Sequence, residues 1–222
     1  PTHHTPNTGF ESHIGVNHIA HVYLTKLLTQ KLKESAPSRV VAVSSSAEEF
    51  AFAEGIRFDQ WQPTKTASSS WSPSLPPPDY EDGLAYGQSK LANLLFVREL
   101  AKQLNGSGVT AYSCHPGVIQ TELFRYLESK NEEDAKLSGT VSVWVLKLVG
   151  AFFNQALFWP EDGALTQLQL VTSPPEQLIN GAFYHPIGRV QNSSHPQGQN
   201  ETLPSILWEE TERVIQSVVG SF

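Results

Sequence analysis

The chain is predicted to be an α/β protein built on a parallel sheet, and three stretches carry that prediction. Arg39-Val40-Val41-Ala42-Val43 is a short, β-branched apolar run of the kind that forms a buried parallel strand. Val109 to Cys114 is a second short run of strand type. Between them, from Ala85 through Leu94, Leu95, Phe96, Val97, Leu100 and Leu104, apolar residues recur at three- and four-residue steps, the mark of an amphipathic helix. Strand, helix and strand in that order form the rhythm of a βαβ unit.

Composition narrows the field. The 222 residues fit one domain, and 39% hydrophobic with 17% charged residues describes a soluble globular chain. A net charge of -7 without a basic run argues against a nucleic-acid binder. Cys114 is the single cysteine, so there is no internal disulfide framework, and a reducing intracellular location, cytoplasmic or membrane-associated, is expected. No zinc spacing occurs, and the sequons at Asn105, Asn192 and Asn200 carry little weight without a secretory signal. Pro1 to Thr8 is polar and turn-like, and the chain contains no Met, so the sequence is expected to be the interior of a longer protein.

In chain order, Gly9 to Leu32 reads as a helix with Ile14, Ile19, Val22, Leu24, Leu27, Leu28 and Leu32 as its apolar stripe. Asn17 sits inside it. Asn is a mediocre helix former, so it marks either a buried polar task or a surface position. His13, His18 and His21 lack the spacing of a helical metal site. The strand at 39–43 runs into Ser44-Ser45-Ser46, and in an open α/β sheet ligands bind beyond the carboxyl ends of strands. Residues 50–79, rich in Pro and Ser, are expected to be an exposed insertion loop. Asn105-Gly106-Ser107-Gly108 stops the central helix. The strand at 109–114 ends in His115-Pro116-Gly117-Val118, where Pro-Gly permits a sharp turn and close backbone approach to a ligand, and Thr121 can cap the next segment. Residues 124–160 are expected to form a substrate lid whose apolar 141–159 segment is short for a membrane span and offers at most peripheral membrane contact. A helix from Pro160 to Thr172, a short strand at 181–184, a polar loop at 191–200 and a terminal amphipathic helix from Trp208 to Val219 complete the chain.

The chemistry-bearing pair is Tyr86 and Lys90. On a helix they stand one turn apart on one face, which places an ammonium beside a phenol. That charge favours phenolate and would let the tyrosine act as a general acid or base. Six tyrosines and nine lysines produce such a spacing by accident roughly one time in four, so the pair acquires meaning only from its surroundings.

Those surroundings resemble a family. Asn17 on one helix, Ser45 at a strand end, Tyr86-x-x-x-Lys90 on the next helix and Pro116-Gly117-x-x-x-Thr121 after the next strand stand in the order of the short-chain dehydrogenase/reductases. Gly15-Val16-Asn17-His18, Ala85 to Asn93 and His115 to Val118 are most similar to its retinol-dehydrogenase-like and WW-domain-oxidoreductase-like branch. The resemblance implies the C-terminal portion of a doubly wound Rossmann-type sheet with helices on both faces, as a single domain over residues 1–222. It implies an oxidoreductase that interconverts an alcohol and a carbonyl with NADP or NAD, NADP being slightly favoured, on a small lipophilic substrate. Tyr86 would be the acid/base, with Lys90 lowering its pKa and holding the nicotinamide ribose. Ser45 would bind the substrate oxygen, with Ser44 and Ser46 as rivals by register, and Asn17 would complete a proton relay. Pro116, Gly117, Val118 and Thr121 would meet the nicotinamide carboxamide. A homodimer through the Tyr86 helix occurs in many relatives.

The chain departs from that pattern at its start. The Gly-rich strand–turn–helix that cradles pyrophosphate and the strand that selects NAD or NADP are not in the sequence, so the N-terminal βαβ units are expected to be missing and one sheet edge bare. Two other functions compete. One is a non-catalytic relative acting as an interaction protein. The other, a hydrolase using Ser45 and His115, lacks the nucleophile elbow such enzymes carry.

Overall fold

The computed structural model describes residues 8–61, 80–119 and 158–220. Its first element begins where the Glu11 carboxylate accepts the His13 and Ile14 amides at 2.8 Å each and so caps α1 (Ser12–Ile14). One π-helical turn, Gly15–Ile19, leads without a break into α2 (Ala20–Glu34). Next come β1 (Ser38–Val43), a 3₁₀ turn at Ser46–Phe50, α3 (Asp82–Gln103) and β2 (Val109–Cys114). After residue 157 come α4 (Pro160–Gly163), α5 (Leu165–Thr172), β3 (Phe183–His185), β4 (Arg189–Val190) and α6 (Leu203–Val219).

The strands form one sheet in the order β1-β2-β3-β4. β1 and β2 pair in parallel from Ser38↔Val109 to Val43↔Cys114, and β3 continues in parallel on β2. β4 is antiparallel to β3, a two-residue hairpin partner that the sequence did not signal. Alternation along the strands separates two cores. Val40, Ala42, Val109, Ala111 and Phe183 face a large cluster with α3 and α6, including Leu91, Leu95, Leu100, Leu207 and Ile215. Val41, Tyr112, Cys114 and Tyr184 face the other side, under Leu170 of α5. Helices therefore cover both faces, as predicted.

Two expectations need correction. Residues 50–61 are not an exposed loop: Ala51, Phe52, Ile56 and Trp61 are buried, Trp61 at 1% exposure. Large apolar side chains drive this irregular backbone inward, and the Trp61 carbonyl accepts the Glu11 amide at 2.9 Å. Residues 62–79 and the expected lid, apart from its last three residues, lie outside the described residues. The second correction concerns α2. Ile19 and Val22 are buried, but Leu24 and Leu27 are 53% and 56% exposed and Leu28 is exposed too. The outer edge of β1 carries no strand among the described residues, and its Val43 is exposed too. An amphipathic pattern tells which face is apolar, not what covers it.

His18 sits in the main core. Its Nε2 is 3.0 Å from the Thr211 hydroxyl, and its ring meets Trp61 and Phe96 edge-on. Burial lowers its pKa to about 3. His185, also buried, is lowered to about 4. The unfolded chain takes up protons that these folded imidazoles refuse, so stability is lost as pH falls from about 6.5 towards 3. His18 alone removes on the order of 2 kcal/mol between neutrality and pH 5. His18→Gln should flatten that part of the slope in urea unfolding at pH 7 and pH 5. An unchanged slope would place the proton uptake elsewhere.

Candidate active site

The carboxyl ends of β1 and β2 and the first turns of α3 bring the sequence-selected residues together. Ser44, Ser45 and Ser46 leave β1 in different directions. The Ser44 hydroxyl is buried and donates to the Lys90 carbonyl at 2.6 Å, which ties the strand end to α3. Ser45 lies near enough to the Tyr86 phenol to oppose the rise in its pKa. Its Oγ also accepts the Ala47 amide at 3.1 Å and caps the 3₁₀ turn at Ser46–Phe50. The strand therefore hands one hydroxyl to the scaffold and the next to the tyrosine.

Lys90 lies over the Tyr86 ring, its Nζ 5.4 Å from the centroid, and reaches the Val43 carbonyl at 3.5 Å. Burial lowers the Lys90 pKa, partly offset by the Cys114 sulfur nearby. The same lysine opposes burial at Cys114, whose thiol is still pushed up to about 12. For Tyr86 the balance differs from the sequence expectation. Burial raises its pKa above the ordinary phenol value, and the opposing influence is the Ser45 hydrogen bond. The ammonium reaches the Val43 carbonyl at the strand end, and with its pKa raised by burial the Tyr86 phenol keeps its proton at neutral pH.

Asn17 occupies the π-helical turn. Its amide donates to Ser89 Oγ at 3.0 Å, and Ser89 donates to the Tyr86 carbonyl at 2.7 Å, stitching the two helices at the site. The Asn17 carbonyl accepts from the His21 ring at 2.7 Å. Pro116, Gly117 and Val118 come directly after β2. Gly117 has φ +96°, and a Cβ there would stand 2.7 Å from the Phe158 ring, so this turn requires glycine. The Val118 carbonyl accepts the Phe158 amide at 2.9 Å. Thr121 lies outside the described residues.

Several neighbours were not singled out from sequence. The His13 ring meets the Tyr86 ring edge-on at 5.7 Å. Asn93, one turn beyond Lys90, donates to the Val43 carbonyl at 3.2 Å that Lys90 also approaches. The 86, 90, 93 spacing was a readable signal for Asn93. Glu48 is buried in the turn after Ser45, where burial raises its pKa against hydrogen bonds from Ser193 and the amides of Ser194 and His195. No local signal pointed to it. Among the described residues no cluster of three or more His, Cys, Asp or Glu could hold a metal, and no helix is long and apolar enough to cross a membrane.

No family model matches the chain. It is similar to retinol dehydrogenase 11 of Mus musculus, 38% identical over 201 residues that cover 90% of the chain and 53% of that protein. It is similar also to retinol dehydrogenase 13 of Homo sapiens, 35% identical over 215 residues, covering 96% of the chain and 56% of the relative. The chain thus spans about half the length of the curated relatives it matches. Among solved structures, an uncharacterized protein from Mycobacterium paratuberculosis superposes with a TM-score of 0.59 at 28% identity, covering 97% of this chain and 62% of that one.

Proposed function

Since the chain belongs to the short-chain dehydrogenase/reductase family, we propose that it carries the catalytic half of an NAD(P)-dependent oxidoreductase that interconverts an alcohol and a carbonyl. The observation that carries this reading is the Lys90 ammonium 5.4 Å over the Tyr86 ring at the end of β1, where Ser45 stands near enough to lower the pKa of the phenol. The bound nicotinamide supplies or receives the hydride. This chain's residues fit the nicotinamide end of such a cofactor: Lys90 reaches its backbone acceptor at only 3.5 Å and keeps donors for ribose hydroxyls, and the Pro116–Val118 turn brings backbone close at a position that requires glycine. Thr121 belongs to the same proposed contact by the motif it completes.

Tyr86 transfers the proton at the substrate oxygen. Ser45 hydrogen-bonds the same oxygen and stabilises charge that develops there, which fixed hydroxyls do well because they need no reorganisation. Asn17 holds the two helices in register through Ser89 and completes the proton route. The retinol dehydrogenase relatives favour a lipophilic alcohol or aldehyde as substrate.

A second reading is favoured by one observation. Leu24, Leu27 and Leu28 of α2 are exposed apolar side chains on which a non-catalytic relative could hold a partner. Binding of NADPH and of NADH to the 222-residue chain, followed by nicotinamide fluorescence, separates the two. Micromolar binding with turnover of an aldehyde supports the oxidoreductase. Absence of binding turns the weight to the interaction protein.

A further inference from the structure

We infer that Glu48 is a positioning residue that holds Ser45 against Tyr86 by clamping the 3₁₀ turn after β1 to the loop at 193–195. The inference rests on the oxidoreductase reading for the role of Ser45, but its geometry is independent of turnover. Glu48 is 1% exposed. Its backbone amide donates to the Ser45 carbonyl at 3.1 Å, the bond that closes the turn. Its carboxylate accepts from Ser193 Oγ at 2.5 Å and from the Ser194 amide at 2.8 Å, one donor on each oxygen. A buried carboxylate is costly unless its oxygens are filled, and these two donors supply both. The loop is in turn fixed to α3, where Arg98 Nη1 donates to the carbonyls of Gly198 at 2.5 Å and Asn200 at 3.2 Å. On the other side the turn presses on α3 itself. A Cβ at Gly87 would stand 2.7 Å from the Ala47 carbonyl oxygen and 2.9 Å from the Ala51 nitrogen. Turn, loop and helix therefore close a triangle with Ser45 and Tyr86 at its open corner. The distance between those two hydroxyls is set by a carboxylate whose loop partners lie about 145 residues further along the chain.

Replacing Glu48 by alanine removes the acceptor of two donors, Ser193 Oγ and the Ser194 amide, and frees the turn. Replacing it by glutamine does not. The amide oxygen can accept from Ser194, and the amide nitrogen can donate to Ser193 Oγ, whose own proton then turns to the His195 carbonyl at 3.2 Å. The test places 3-fluorotyrosine at position 86 of the 222-residue chain and follows its ¹⁹F resonance at neutral pH. Ser45→Ala and Glu48→Ala should move it in the same direction and by similar amounts. The double variant should move it no further than Ser45→Ala alone, and Glu48→Gln should leave it in place. A resonance untouched by Glu48→Ala, or additive shifts in the double variant, would overturn the inference. If Glu48→Ala does not fold, Ser193→Ala decides: it removes one donor, and a smaller shift of the same sign supports the clamp while none refutes it. Absence of nicotinamide binding would turn the weight from the oxidoreductase reading and leave this result standing.

Discussion

Tyr86→Phe should lower turnover by about 10²–10⁴-fold, the usual worth of a positioned general acid, while the fold survives. The structure supports both halves of that expectation. The phenol oxygen is the group whose pKa Ser45 lowers, and its removal takes away the proton donor while leaving the ring in its place against His13. Ser45 keeps the Ala47 amide as a partner, so the stability cost should stay near that of one lost hydrogen bond, about 0.5–1.5 kcal/mol. Carbonyl reduction needs the protonated phenol and alcohol oxidation needs the phenolate. Because burial raises the Tyr86 pKa, reduction should be flat through neutral pH and fall only in the alkaline range, while oxidation should rise with pH. The check is the rate with NADPH and an aldehyde from pH 6 to 10, beside thermal unfolding of the same samples. Turnover within a few-fold of wild type would remove Tyr86 from the chemistry.

Much of this scaffold was legible in the sequence because it rests on short-range pattern. The strand expected at 39–43 occupies Ser38–Val43, and the one expected at 109–114 matches its observed span. The helix read from Ala85 begins at Asp82. Each arises from β-branched runs or a 3.6-residue period, which depend on neighbours in sequence. The features that were not legible depend on distant neighbours. Trp61 and Phe52 are buried in irregular backbone, where no period marks an inner face. Leu24 and Leu27 obey the period of α2 and still face outward, because covering a stripe takes another element. β4 is two exposed residues, too few to show alternation. At the site, Tyr86, Lys90 and Ser45 could be named because their order resembles a family. Ser45 was named with Ser44 and Ser46 as rivals by register, and that the Ser44 hydroxyl is taken up by the Lys90 carbonyl came only from the structure. Glu48 was hidden because an acid between Ala47 and Glu49 reads as a solvated turn until Ser193 and Ser194 close over it.

Lys90→Ala should weaken NADPH binding by about 10–100-fold, the worth of hydrogen bonds from a charged donor, and should lower the rate as well. Stability should change little, and the physical reason separates this residue from its neighbours. The Lys90 backbone carbonyl, which accepts from Ser44, is untouched by the substitution, so the tie between β1 and α3 remains. The ammonium itself contributes little to folding. Its reach to Val43 is long at 3.5 Å, and burial already disfavours its charge. A partly desolvated cation with few protein partners is held at a cost, and that cost is recovered only when a ligand supplies acceptors. Lys90→Arg should not restore function, since a planar guanidinium cannot replace a compact ammonium between the Tyr86 ring and the strand end. Fluorescence titration with NADPH and single-turnover rates measure the two effects separately. Loss of both assigns Lys90 to cofactor and proton together. Loss of rate with unchanged affinity would confine it to Tyr86 and hand the ribose to other residues.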